Sequence, residues 1–176
     1  MDIVRARVPL VLATVLVLLA ANMGCLSIHG MRDLLVLKKP STPLVYHRTT
    51  PVSFTWEANG IIRPDTVQDT RNIMIKPGTR SLVLKYNIAI FSGQIAKFLN
   101  MTLPISPLVT LRLRAPTGDI YWEGNFSETK SGEVPAFGPS AGAWVLRMEA
   151  RGYGIDQGSI SLHDSFHVEV ELYEPK

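Results

Sequence analysis

Cysteine is almost missing from this sequence: Cys25 is the only one among 176 residues. No disulfide can therefore form within the chain, and no cysteine cage can hold zinc. A domain of this size does not need a covalent staple, because about 150 residues bury close to 70% of the surface that the unfolded chain exposes. An excess of charge of one sign is missing too. Lys and Arg number 18 against 15 Asp and Glu, and the longest basic run is Lys38-Lys39. A nucleic-acid binder carries a basic stripe or cluster, so nucleic acid is set aside as a partner. There is no Gly-x-x-x-x-Gly-Lys-Ser/Thr phosphate loop, no Gly-x-Gly-x-x-Gly turn between strand and helix and no Gly-x-Ser-x-Gly elbow. No cofactor and no catalytic residue is implied by motif.

One long apolar run is present. Val8 to Ile28 is a stretch of 21 residues without a formal charge. As a helix it spans about 31 Å, close to the ~30 Å hydrocarbon core of a bilayer. Residues 1–29 are thus expected to be a transmembrane anchor or a signal segment. The shorter run from Leu10 to Ala21 also fits the apolar region of a cleaved signal peptide, so both readings stand. Cys25 after Gly24 has the look of a lipoprotein cleavage box, but Asn22 occupies the place of its bulky aliphatic residue, which favours an apolar cysteine within a membrane helix. Arg5 and Arg7 in front are answered by Arg32, Lys38 and Lys39 behind, which weakens the positive-inside argument, yet long domains translocate largely regardless of nearby charge. The expectation is a single-pass protein of the cell membrane with its C-terminal domain extracytoplasmic, or a secreted one if the leader is cleaved. The sequons at Asn100 (Asn100-Met101-Thr102) and Asn125 (Asn125-Phe126-Ser127) agree with export and mark candidate N-glycosylation sites of a glycoprotein.

Residues 30–50 are polar and punctuated by Pro40 and Pro43, with Pro51 just beyond. They read as a stalk, with an edge strand at Leu34 to Lys38 as its one candidate element. From 51 to 176 the hydrophobic period becomes two, the signature of half-buried strands. Val52, Phe54, Trp56 and Ala58 face one way. So do Leu82, Leu84, Tyr86, Ile88 and Ile90, after the turn Lys76-Pro77-Gly78-Thr79, where Pro then Gly suits a type II turn. A strand ending near Ile75 enters that turn. Val109, Leu111, Leu113 and Ala115 lead through Pro116-Thr117-Gly118-Asp119 into a short strand, Ile120 to Glu123, as a hairpin. Trp144, Leu146, Met148 and Ala150 form another strand, and Phe166, Val168, Val170 and Leu172 the last. Only Gly93 to Met101 suits a helical turn or two. Six or more strands separated by turns, without helices between them, predict an all-β fold, an antiparallel β-sandwich of jelly-roll type.

Three segments, Leu111 to Asp119, Gly138 to Arg147 and Phe166 to Leu172, together resemble the pre-peptidase C-terminal and proprotein-convertase P-domain group of extracellular β-sandwiches. A strand, a proline-glycine turn and a later Gly-x-Trp strand recur in that group. The resemblance covers about 65 residues and implies an accessory, non-catalytic module. Some members hold calcium, but no ligand set matches here residue by residue, so no metal is carried over. Asp65, Asp69 and Asp119 form no dense Asp-x-Asp run of the kind calcium requires and read as turn-capping carboxylates.

His163-Asp164-Ser165-Phe166-His167 gathers a base, an acid and a hydroxyl. On a strand, however, His163, Ser165 and His167 share one face while Asp164 points opposite, and histidines four apart on a strand stand about 13 Å apart. The bland reading, a polar sheet face, outweighs catalysis and metal binding. Extended over Ser161, His163, Ser165, His167, Glu169 and Glu171, that face is the candidate interaction surface. Tyr121 and Trp122 are adjacent, so one is expected to face outward, making them the candidate aromatic contact. Trp56 and Trp144 read as core. The function expected is contact: a membrane-tethered β-sandwich serving as accessory subunit of a membrane complex or as a cell-surface binding module, with a protein partner in or at the membrane. The alternatives are a small-ligand or carbohydrate-binding exported domain and an extracytoplasmic hydrolase drawing on His163 or His167 with Asp65 or Asp119.

Overall fold

The structure, a computed structural model, describes residues 44–176. The leader 1–29, Cys25 and the stalk strand at Leu34 to Lys38 lie outside the described residues. The elements follow in the order β1 (Tyr46–Glu57), β2 (Asp65–Ile75), β3 (Ser81–Ala89), α1 (Ser92–Leu99), β4 (Leu108–Arg114), β5 (Ile120–Phe126), β6 (Lys130–Phe137), β7 (Gly142–Gly152), β8 (Gly154–Gln157), β9 (Ile160–His163) and β10 (Ser165–Pro175). No helix among the described residues is long and apolar enough to cross a membrane.

Alternation makes the strands and decides which side is buried. Phe166, Val168, Val170 and Leu172 of β10 point inward and are buried, opposite Trp56, Phe54 and Val52 on one neighbour and Ile88, Tyr86, Leu84 and Leu82 on the other. The second sheet answers with Ile73, Ile75, Val109, Leu111, Leu113, Trp144, Leu146 and Met148, all buried in the same core. Burying each such large side chain contributes about 1.5–3 kcal/mol before the entropy of ordering it is subtracted. The two antiparallel sheets have the orders β1-β10-β3-β6 and β2-β7-β4-β5, with β8-β9 a separate hairpin. Apart from the β4-β5 hairpin, successive long strands alternate between sheets, which is the winding of a jelly roll.

Each free edge carries a feature that discourages further pairing. In β1 the register shifts between Thr49 and Val52, beside Pro51, and β6 contains Pro135. β2 turns Asp69 and Arg71 toward the gap between the sheets, where Arg71 Nε donates to Asp69 Oδ2 at 2.7 Å and its guanidinium lies 5.6 Å from the centre of the Phe54 ring. β5 carries a bulge opposite Leu113 and Arg114. The Pro51 irregularity also explains why β1 opens at Tyr46, ahead of the expected domain boundary at 51. A proline on an edge strand bends pairing without ending it.

The two ends of the sandwich differ. At one end only tight turns occur. Gly78 takes φ 84° in the turn closed by Thr79 N donating to Lys76 O, and Gly118 takes φ 89° in the β4-β5 turn; both conformations suit glycine. At the other end lie the long connections 58–64, 90–107 and 153–164, and there Ile95 of α1 packs with Tyr153, Ile155, Leu99, Leu103 and Leu162 in a second small core.

Candidate functional site

The outer face of the β1-β10-β3-β6 sheet is built from the residues between the inward ones. Register places Thr55, His167, Asn87 and Ser131 in one cross-strand row, and Ser53, Glu169, Lys85 and Glu133 in the next. Side chains link along these rows: Thr55 Oγ1 lies 2.8 Å from His167 Nδ1, Ser131 Oγ donates to Asn87 Oδ1 at 2.7 Å, and Thr50 Oγ1 donates to Glu169 Oε1 at 3.3 Å. Glu171 faces outward too, yet its side chain is only 2% exposed, because two cations close over it. Arg48 donates to Glu171 Oε1, and Lys85 Nζ sits 2.7 Å from the same oxygen and 3.7 Å from Glu133. The hydrogen bond to Glu171 holds the Lys85 ammonium above its ordinary pKa, with the negative charges of Glu171 and Glu133 adding to it.

Ser165, His167, Glu169 and Glu171 of the expected face are thus brought together on one sheet surface, but His163 is not among them. The expectation assumed one unbroken strand from 161 to 171. Asp164 interrupts it, leaving His163 at the end of β9 and Ser165 at the start of β10. His163 is buried, with Nδ1 2.6 Å from the Ala58 carbonyl oxygen and Nε2 3.0 Å from Asp156 Oδ1 and 3.1 Å from Ser161 Oγ. Glu57 Oε1 is 3.5 Å from Nδ1. Burial lowers the affinity of this imidazole for its second proton, but the Ala58 carbonyl and the Asp156 carboxylate outweigh that and raise its pKa. Asp156 is held low in turn by the His163 hydrogen bond.

Asp164, 1% exposed, is an assembly point that sequence reasoning missed. Its Oδ1 accepts from Phe91 N at 2.6 Å and Ser92 N at 2.9 Å, and its Oδ2 accepts from Tyr153 N at 2.9 Å and from the Ser92 hydroxyl. Its backbone joins in, with Ala58 N donating to Asp164 O and Asp164 N donating to Tyr153 O. The first N–H groups of a helix have no partner inside it, and Phe91, at the N-cap of α1, offers no side-chain acceptor. Asp164 supplies one from far along the chain. With its oxygens taken up by these donors, Asp164 does not orient His163 or activate Ser165, and no relay forms among the three. Asp65 accepts from Asn59 N, and Asp119 from the Thr117 hydroxyl. No group of three or more His, Cys, Asp or Glu side chains among the described residues is placed to hold a metal ion.

Tyr121 and Trp122 both lean toward the gap between the sheets, Trp122 half-buried and Tyr121 exposed at the open rim. The bulge in β5 pairs Leu113 with Trp122 but Arg114 with Ile120, and this extra residue removes the alternation that would have sent one ring outward. Tyr121 meets Trp144 edge-on at 5.2 Å and donates its hydroxyl to Pro135 O at 3.0 Å. Trp122 stacks on Tyr86 at 5.6 Å, and Tyr86 meets Phe126 at 5.0 Å. Beside them an open groove of about 400 Å³ is lined by Tyr86, Trp122, Asn125, Phe126, Glu128 and Lys130 among others. Both sequon asparagines are exposed. Asn100 closes α1 in the left-handed conformation (φ 48°), and Asn125 accepts from Thr110 Oγ1 on the neighbouring strand.

No protein-family profile matches the sequence, and comparison with characterised proteins finds no match. Among solved structures the chain is similar to the carbohydrate-binding module TmCBM61 in complex with β-1,4-galactotriose, at 7% identity and TM-score 0.37 over 77% of this chain and 90% of the module. It is similar to the VP2 subviral particle of infectious bursal disease virus, at 7% identity and TM-score 0.35 over 76% of this chain and 33% of VP2. A third similarity is to the pili that form Bacillus endospore appendages, at 8% identity and TM-score 0.33 over 74% of this chain and 90% of the pilus chain. The class that the two antiparallel sheets define is an all-β protein of sandwich form.

Proposed function

We propose that this chain is a membrane-tethered, extracytoplasmic β-sandwich that acts by protein contact, as an accessory subunit of a membrane complex or a cell-surface binding module. The observation that carries the reading is the outer face of the β1-β10-β3-β6 sheet. Its hydroxyl, amide, imidazole and charged side chains are tied to one another across strands, with Glu171 sunk beneath Arg48 and Lys85. Such a surface is ordered before any partner arrives, which lowers the entropic cost of binding. Support for the tether is the apolar run Val8 to Ile28, and the exposed sequons Asn100 and Asn125 agree with export. The resemblance to extracellular accessory sandwiches points the same way.

The test is a photo-crosslinking amino acid at His167, with Thr70 on the outer face of the other sheet as the comparison, in the full chain within its own membranes. One membrane protein crosslinked from 167 and not from 70, and lost on Glu169→Lys, is expected. Equal capture from both positions, or none from 167, overturns the assignment of this face.

A second reading, small-ligand or carbohydrate binding, is favoured by the groove along β5 and β6, where Tyr86 and Trp122 stand beside Asn125, Glu128 and Lys130. Aromatic faces beside hydrogen-bonding groups suit sugars and similar amphipathic ligands. Saturable quenching of tryptophan fluorescence by one oligosaccharide of a panel, abolished by Trp122→Phe, is the outcome this reading requires.

A further inference from the structure

The exposed large apolar side chains among the described residues lie at the two ends of the sandwich, with none at mid-height on either outer face. Ile61, Ile62, Phe98 and Ile105 belong to the end with the long connections. Leu44, Val45, Met74, Ile120, Tyr121 and Phe137 belong to the end with the tight turns. The pairing fixes this second group in place. Tyr46 pairs with Pro175, and Val45 O accepts from Lys176 N. Ser81 pairs with Phe137, Met74 with Ala143 and Ile120 with Arg114. Leu44, Val45 and Met74 therefore flank the β1/β2 edge of that end, and Ile120, Tyr121 and Phe137 flank the β5/β6 edge. Phe137 is 81% exposed, although the preceding inward residue, Ala136, is buried.

Basic side chains stand among them. Lys76, Arg80, Arg114 and Lys176 are exposed at this end, whereas Glu174 is buried and its carboxylate is covered by Lys76 at 3.3 Å. Asp119 is the acidic side chain left in the open there. Aromatic and aliphatic side chains mixed with Lys and Arg are the composition of surfaces that rest in the headgroup region of a bilayer. The point where the chain enters the sandwich favours this end. The apolar run ends at Ile28 and the described chain begins at Leu44, at this same end. The 15 residues between them reach about 50 Å even when fully extended, against roughly 35 Å for the length of an 11-residue strand such as β10.

We propose that the tight-turn end of the sandwich is a lipid-contact surface, with Phe137, Ile120 and Tyr121 on one flank, Leu44, Val45 and Met74 on the other, and Arg80 and Arg114 meeting anionic headgroups. The inference rests on the tethered reading above. It leaves the outer face of the β1-β10-β3-β6 sheet free for a protein partner, because that face runs along the side of the sandwich rather than across its end.

The test uses the full chain with Cys25→Ser, reconstituted into nanodiscs of phosphatidylcholine and phosphatidylglycerol, with an NBD fluorophore on Phe137→Cys, Ile120→Cys or Phe98→Cys. The expected result is blue-shifted emission, quenched by brominated lipid, at 137 and 120, and a water-like spectrum at 98. Emission at 137 and 120 that stays water-like while the chain co-elutes with the nanodisc overturns the lipid surface and leaves the tether standing. A chain that does not remain with the nanodisc overturns the tether and this proposal with it. A shift at 137 in native membranes but not in pure lipid assigns the surface to a protein partner and likewise overturns it.

Discussion

Asp164 is the residue whose removal should cost the fold most for its size. Its carboxylate receives three backbone N–H groups, from Phe91, Ser92 and Tyr153, together with the Ser92 hydroxyl. Asp164→Ala withdraws the acceptor from all of them. The Phe91 N–H is part-buried and within reach of water, so the two buried N–H groups, of Ser92 and Tyr153, are left without a partner. At about 1–3 kcal/mol for each unsatisfied buried donor, the expected loss is about 2–6 kcal/mol, against a total stability of about 5–15 kcal/mol for an ordinary domain. Asp164→Asn keeps the shape and one acceptor oxygen. It turns an NH2 toward Tyr153 N–H or toward the helix, and loses a hydrogen bond to a charged group, worth about 1.5–3 kcal/mol. Urea unfolding followed by tryptophan fluorescence measures both variants. Hydrogen exchange should show Ser92 and Tyr153 losing protection before the strands of the main core do, since the small core of Ile95, Tyr153 and Ile155 hangs on this carboxylate. If Asp164→Ala falls within about 0.5 kcal/mol of the parent chain, the range of ordinary surface substitutions, the role given to Asp164 is refuted.

His163 makes stability depend on pH. Its folded pKa is raised from 6.5, so its stabilisation is complete below about pH 6.5 and is lost as pH climbs through the raised folded value. Unfolding free energy measured across that window should fall with rising pH in the parent chain, and this component should vanish in His163→Gln. Lys85→Met leaves the buried Glu171 carboxylate to Arg48 alone. Stripping a partner from a buried charge costs up to about 3–5 kcal/mol, whereas Lys85→Met combined with Glu171→Gln should recover much of the loss in a double-mutant cycle. Gly154→Ala would place a Cβ 1.8 Å from the Ala58 carbonyl oxygen and 2.5 Å from His163 Nδ1. Because backbone cannot yield as a side-chain tip does, a loss of about 1–3 kcal/mol or more is expected, measurable as a lowered Tm, and an unchanged Tm would mean that the hairpin sits farther from β1 than described.

Strands buried on one face announced themselves, and strands at the margin did not. β7 and β10 alternate without error because each lies between two neighbours and must bury every second side chain. β6, by contrast, reads Lys130-Ser-Gly-Glu-Val-Pro-Ala-Phe137; its glycine, proline and charges resemble a loop because edge strands use those residues to avoid further pairing. β1 was truncated at Pro51 for the same reason. The β8-β9 hairpin escaped altogether, since strands of four residues show too few periods to register. Bulges are equally silent in an alternation pattern, which is why Tyr121 and Trp122 both lean toward the gap between the sheets, with Tyr121 at its open rim still 45% exposed.

The candidate face shows how far a single-strand argument reaches. Alternation along β10 grouped Ser165, His167, Glu169 and Glu171 because their neighbours two residues apart point the same way. It had no access to Arg48 and Lys85, which make Glu171 a buried carboxylate, since they come from strands more than 80 residues away in sequence. Nor could it see Asp164 break the strand. That interruption separates three consecutive residues into three tasks. His163 clamps the hairpin to the connection after β1 through Ala58, Asp164 supplies the acceptor that α1 lacks, and Ser165 opens the outer face. A run of base, acid and hydroxyl that looks like chemistry in one dimension is divided here by a single non-strand residue. That residue's carboxylate is taken up by backbone donors, so the chemical resources of the segment go to holding the end of the sandwich closed.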